Sequence, residues 1–121
     1  MRILVGGFGK VQIYNAVRQV APDVEVKQTN DIQAYQLLNS GQADYYFGAC
    51  ASGGGASLGA LVGLLGYDKT ATVSRAGRPP KLEEINEAVR QGKVAFGMTI
   101  DHVDLAVPML LTALKDKEAK P

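Results

Sequence analysis

The sequence predicts a single-domain α/β protein: a three-layer, open, parallel five-stranded sheet in the order 2-1-3-4-5, flavodoxin- or Rossmann-like. Three observations carry this. Five short apolar runs alternate with five segments of helical character, and right-handed crossovers turn such an alternation into a parallel sheet covered on both faces. The 121 residues suffice for one continuous core and not for two. A hydrophobic fraction of 46% and a charged fraction of 21% are those of an ordinary globular domain, which excludes disordered and fibrous classes.

The elements follow in order. Arg2 to Val5 is an apolar run ended by Gly6, Gly7 and Gly9, a buried strand turning over a glycine loop. Val11, Tyr14, Ala16, Val17 and Val20 give the apolar face of a helix over Lys10 to Val20, stopped by Pro22. Val24 to Gln28 is the second strand. Asp31 occupies an N-cap position, and Ile32, Ala34, Tyr35, Leu37 and Leu38 form a short amphipathic helix closed by Ser40-Gly41. Tyr45 to Cys50 is the third strand. The glycine turn after it leads into a helix ending near Gly66, and Thr70 to Ser74 is a β-branched fourth strand. Pro79 and Pro80 precede a helix over Leu82 to Gln91, and Val94 to Thr99 is the fifth strand. A final helical region runs from Asp101 to about Lys115, where Pro108 predicts a kink or a second start. Residues from about 116 to 121 form a frayed, charged tail.

Composition narrows the function classes. A formal net charge of +1 without a charge run argues against a nucleic-acid footprint or a polybasic membrane patch and leaves a small ligand or a protein partner. The longest strongly apolar stretch, residues 56 to 65, falls well short of the roughly 20 residues of a membrane-spanning helix. One cysteine permits no intramolecular disulfide, and with no signal pattern at the first residues the expected compartment is cytoplasmic. One histidine, one cysteine and scattered carboxylates offer no metal-ligand spacing, so neither a metal nor a cofactor is expected.

The chemically suggestive segment is Cys50-Ala-Ser-Gly-Gly-Gly-Ala-Ser57. In an open parallel sheet, ligands bind outside the carboxyl ends of the strands where the strand order reverses, a crevice bordered here by the loop at Gly7 and by the turn after Cys50. Gly53, Gly54 and Gly55 allow close backbone approach, and the amides of a helix beginning there would bind a phosphate or carboxylate. Ser52 and Ser57 add hydroxyl donors, and Cys50 at the positive end of that helix is a candidate nucleophile or acid/base. A tight turn packed without a ligand, and a buried cysteine without chemistry, explain the same residues.

The order Cys-small-Ser-Gly-x-Gly-x-Ser, carried by Cys50, Ser52, Gly53, Gly55 and Ser57, resembles the loop of the ribose-5-phosphate isomerase B and galactose-6-phosphate isomerase group. The resemblance implies that Cys50 moves a proton between neighbouring sugar carbons while Ser52 and the glycine amides hold the developing oxyanion. The chain departs from that group in having Gly7-Phe8 in place of an Asp-His pair and Leu61-Val62 in place of an Asn-Lys pair. A broader likeness runs through Ser40-Gly-Gln-Ala-Asp-Tyr-Tyr-Phe-Gly-Ala-Cys50, Gly66-Tyr-Asp-Lys69, Gly92-Lys-Val-Ala-Phe-Gly97 and residues 102 to 109, which resemble the bacterial YhfU family of unknown function. That likeness implies a shared fold, a bacterial cytoplasmic setting and a metabolic role, without a mechanism.

Other residues complete the reading. His102, with Asp101 and Asp104, starts the last helix at the same carboxyl edge as Cys50 and is a candidate proton relay, or an exposed residue beside an N-cap. Asp44 lies at the amino end of its strand and reads as a turn residue. Arg75, near the end of the fourth strand with Arg78, is a candidate anion partner. Gly55, Gly59 and Gly63 form a small-residue stripe on an otherwise apolar helix, which predicts a homodimer or higher homo-oligomer. The expected function is therefore a metabolic protein binding a phosphorylated or otherwise anionic small molecule at Cys50 to Ser57, with sugar-phosphate isomerase-like chemistry. The alternatives are a noncatalytic ligand-binding or accessory subunit, and a phosphocysteine carrier.

Overall fold

Why each segment adopts its structure is visible in the computed structural model, which describes residues 1–51 and 58–120. The strands are β1 (Arg2–Gly6), β2 (Glu25–Gln28), β3 (Tyr45–Cys50), β4 (Thr70–Thr72) and β5 (Ala95–Thr99), all paired in parallel. The helices are α1 (Lys10–Val20), α2 (Asp31–Asn39), α3 (Leu61–Leu65), α4 (Leu82–Arg90) and α5 (Val103–Ala119), with short 3₁₀ turns at Tyr67–Lys69 and Ile100–His102. The architecture is the open α/β sheet that the alternating pattern predicts.

The strand order is β2-β1-β3-β5-β4, so the last two strands exchange places relative to the 2-1-3-4-5 expectation. Burial supplies the reason. Every residue of Ala95–Thr99 is buried, whereas β4 has three residues of which two are only partly covered. A fully apolar strand gains most between two neighbours, and a short one loses least at an edge.

Each face has its own core. Ile3, Val5, Tyr45, Phe47, Ala49, Phe96 and Met98 pack against α1, α4 and α5, with Phe47 and Phe96 meeting edge to face at 6.0 Å between ring centroids. On the other face Leu4, Tyr46 and Ala95 meet Ala34 of α2 and Leu58 and Leu61 at α3. The steps from β1 out to β2 and from β4 back to β5 place α1 and α4 on the first face, and the two opposite steps place α2 and α3 on the second, as right-handed crossovers require.

Local differences from the expectations have local causes. Asn30, not Asp31, caps α2: its side-chain oxygen accepts from the Gln33 amide at 2.8 Å, and Asp31 begins the first turn. The helix expected from the glycine turn to Gly66 is only the five residues of α3, and Gly59 lies before it with φ of +56°. Gly59 therefore does not share a helical face with Gly63 in α3, and Gly55 lies outside the described residues. Helix α5 is continuous through Pro108. Proline there deprives the carbonyl of Asp104 of its helical donor, in the first turn, where Asp104 is exposed. The helix continues to Ala119 rather than fraying near 116, held by the Tyr45 hydroxyl donating to Glu118 at 2.9 Å and by Lys117 Nζ donating to the Val89 carbonyl at 3.3 Å.

Candidate functional site

Strand register builds the site. On the second face, side chains alternate so that Leu4, Tyr46, Ala95 and Thr70 form one row across the sheet. The next row toward the carboxyl edge is Gly6, Gly48, Gly97 and Thr72, three glycines paired in register on β1, β3 and β5. Glycine in strand interiors marks a place where another group comes close, and at Gly6 that group is the Tyr46 ring and hydroxyl. The outermost row contains Cys50 paired with Thr99, and beside Thr99 stands Ser74, just beyond β4.

This last row carries a buried polar network. Ser74 Oγ accepts from the Thr99 amide at 3.0 Å and lies 3.3 Å from Thr99 Oγ1, which lies 2.6 Å from His102 Nδ1. Thr99 is 0% exposed and His102 9%. One proton arrangement that satisfies both contacts has Ser74 donating to Thr99 and Thr99 donating to Nδ1, with the imidazole proton on Nε2, which lies 4.0 Å from Asp101 Oδ2, beyond hydrogen-bond distance. The 3₁₀ turn Ile100–His102 folds the ring back onto Thr99, so His102 is buried rather than exposed. Sequence reading found Cys50 and His102 but missed Ser74 and Thr99, whose signal was the period-two alternation of three strands read together.

The other expected residues fall in three groups. Ser52, Gly53, Gly54, Gly55 and Ser57 lie outside the described residues. Cys50, at the end of β3, is buried, and with α3 starting only at Leu61 it does not stand at the start of that helix. Gly7 has φ of +80°, and a Cβ there would meet the Ala49 carbonyl oxygen at 2.5 Å, so the loop needs glycine simply to pack on β3. Arg75 is exposed immediately after Ser74 and has no ion pair among the described residues, while Arg78 pairs with Glu84 at 2.9 Å. Asp44, away from this edge, pairs with Arg2 at 3.2 Å, whose hydrogen bond holds its carboxyl below the usual range.

An open surface depression of about 810 Å³, lined by both polar and apolar groups, lies over the carboxyl ends of β1 and β2 and between the starts of α1 and α2. Lys10, Asn30, Asp31, Gln33 and Gln36 line it. Tyr46, 0% exposed and outside that lining, rests its hydroxyl against Gly6, with no hydrogen-bond partner among the described residues. Burial, and secondarily the charge of Asp31, raise its pKa well above the usual phenol value. Sequence reading attached no role to Tyr46.

Among the described residues no helix is long and apolar enough to cross a membrane, and no group of three or more His, Cys, Asp or Glu is placed to hold a metal ion. No solved structure matches the chain. It is similar to "Uncharacterized protein YhfU" of Escherichia coli strain K12, 41% identical over 115 residues covering 94% of this chain and 98% of the relative. The Shigella flexneri protein of the same description matches to the same extent, 41% over 115 residues. The family described as "Protein of unknown function DUF2620" matches residues 1–114, and the chain belongs to that family.

Proposed function

We propose that the protein binds a phosphorylated or otherwise anionic small molecule at Cys50 and the loop up to Ser57, with Cys50 as an acid/base group in sugar-phosphate isomerase-like chemistry. The observation that supports this is the register pairing of Cys50 with Thr99, whose hydroxyl is bonded to both Ser74 and His102. A thiol, two hydroxyls and an imidazole then share one carboxyl edge of the sheet, where open α/β folds place their ligands. In such chemistry Cys50 takes a proton from the carbon beside a carbonyl and returns it to the neighbouring carbon, while Ser52 and the backbone of Gly53, Gly54 and Gly55 hold the developing oxyanion. Ser57 and Arg75, which has no ion pair among the described residues, bind the anionic group. His102 keeps its hydrogen-bonded network and presents Nε2 as the proton-exchanging atom.

The burial of Cys50, 5% exposed, favours a second reading in which the protein is a noncatalytic ligand-binding or accessory subunit. Alkylation of Cys50 as a function of pH, with and without inorganic phosphate and a panel of sugar monophosphates, separates the two. The first reading expects a rate that rises as the thiolate forms and falls when a phosphorylated probe is added. A Cys50 that reacts only in the unfolded protein and ignores every probe overturns the isomerase reading and leaves the accessory one. Phosphate transfer to Cys50, visible as a phosphorus resonance of a thiophosphate, is the distinct outcome of a carrier.

A further inference from the structure

We infer that the cleft between α1 and α2 is a second binding site, one that takes a polyhydroxylated small molecule bearing a single anionic group. This goes beyond the reading at Cys50 and needs no chemistry there. The cleft, about 810 Å³, has room for a small ligand, and it sits at the carboxyl ends of β1 and β2 next to the reversal of strand order between β1 and β3.

Its lining sets the ligand class. Lys10 opens α1, which has no capping side chain, and its ammonium has no ion pair or hydrogen-bond partner among the described residues. Its own backbone amide is taken by the Gly7 carbonyl at 3.2 Å, so one lysine ammonium is the cationic group of the lining, a match for one acidic group and too little for a di- or triphosphate. Across the cleft the chemistry is carboxamide apart from the Asp31 carboxylate. The Asn30 side-chain oxygen is occupied by the Gln33 amide at 2.8 Å, which leaves its NH₂ group as a donor. Gln33 and Gln36, three residues apart on α2, present two further carboxamides without side-chain partners among the described residues. Asp31 is held by one oxygen, which accepts from the Ala60 amide at 3.0 Å, and its other oxygen has no hydrogen-bond donor among the described residues. Carboxamides that donate and accept, beside a fixed carboxylate, are the groups that read neighbouring hydroxyls.

The second, independent observation is Tyr46. Its fully buried hydroxyl, unpartnered among the described residues, rests on Gly6, next in the chain to the cleft residue Gly7, and lies within the electrostatic influence of Asp31 in the cleft lining. A buried phenol without an acceptor is rare in folded proteins, and a ligand oxygen that shifts the Gly6-Gly7 backbone would supply one.

The test is a titration of ¹⁵N-labelled protein with four- to six-carbon aldonates and sugar monophosphates, with the corresponding uncharged polyols and inorganic phosphate as controls. At least one charged polyol is expected to move the side-chain amide resonances of Gln33 and Gln36 saturably, with its uncharged counterpart about tenfold weaker. Lys10→Met should abolish that difference, and Tyr46→Phe should weaken the charged probe about tenfold, the size of one charge-assisted or buried hydrogen bond. Absence of saturable shifts across the panel, shifts reproduced by inorganic phosphate alone, or indifference to Lys10→Met overturns the inference. A probe that protects Cys50 from alkylation without moving Gln33 or Gln36 overturns it too while supporting the reading at Cys50, so the two stand or fall separately.

Discussion

The hydroxyl of Tyr46 rests against Gly6 on the neighbouring strand, where an added methyl group would collide with it. Gly6→Ala is therefore expected to cost about 1 to 3 kcal/mol by overpacking. Tyr46→Phe removes a buried hydroxyl unpartnered among the described residues and is expected to raise ligand-free stability by about 1 kcal/mol. In the double variant, part of the Gly6→Ala loss should be recovered, and the part that remains reports the ring carbons 3.0 Å from the added methyl. Urea unfolding of the four proteins measures the coupling, and strict additivity would show that the two residues do not touch in solution.

Thr99→Val keeps the shape of a fully buried β-strand residue and deletes the oxygen shared by Ser74 and His102. The expected loss is about 1 to 3 kcal/mol, the cost of leaving buried polar groups unpaired. A second readout is independent of stability. Nitrogen NMR of the single histidine should report the Nε2–H tautomer in the native protein and a mixed population in the variant. An unchanged tautomer signal would mean that Thr99 does not orient the ring.

Gly7→Ala tests whether that loop glycine serves packing. With φ of +80° and the Ala49 carbonyl 2.5 Å from the new methyl, the variant is expected to lose about 1 to 3 kcal/mol without any ligand present. Native-like thermal stability would show instead that the loop moves freely off β3.

Asp44 ties folding to acid pH. Its carboxyl is held below the usual range by Arg2, so the pair stabilises the fold above the unfolded-state value of about 4 and loses that contribution as pH falls through the lowered folded value. Both side chains keep about a third or more of their exposure, 42% for Arg2 and 34% for Asp44, so screening limits the effect to about 1 kcal/mol or less. Asp44→Asn should flatten the acid limb of stability against pH, and an unaltered limb would assign acid sensitivity to other carboxylates.

What the sequence made legible follows from how local each signal is. Lys10–Val20 and Tyr45–Cys50 match their expected bounds because glycine, proline and continuous apolar runs mark them within a few residues. The order of β4 and β5 was not legible: it is decided by competition between two distant segments for the place beside β3, which length and burial settle only once the sheet exists. The apolar run before Gly66 was read as a long helix because periodicity does not limit a run that is apolar on every side, whereas α3 has only five residues. Cys50 and His102 stand out as rare residue types. Ser74, Thr99 and Tyr46 are ordinary residues that gain meaning only through their neighbours across strands, and no linear pattern carries that.

The unequal covering of the two faces divides the domain into a slow half and a fast half. Helices of 11, 9 and 17 residues close the first face, while the second has helices of only 9 and 5 among the described residues. Local opening follows the least buried apolar contact, so amides of α2 and α3 should exchange with solvent through partial excursions that leave α1, α4 and α5 in place. The glycine row, Cys50 and the Tyr46 hydroxyl all lie on that second face. A molecule arriving there can reshape its own surroundings while the rest of the fold keeps time on a slower clock.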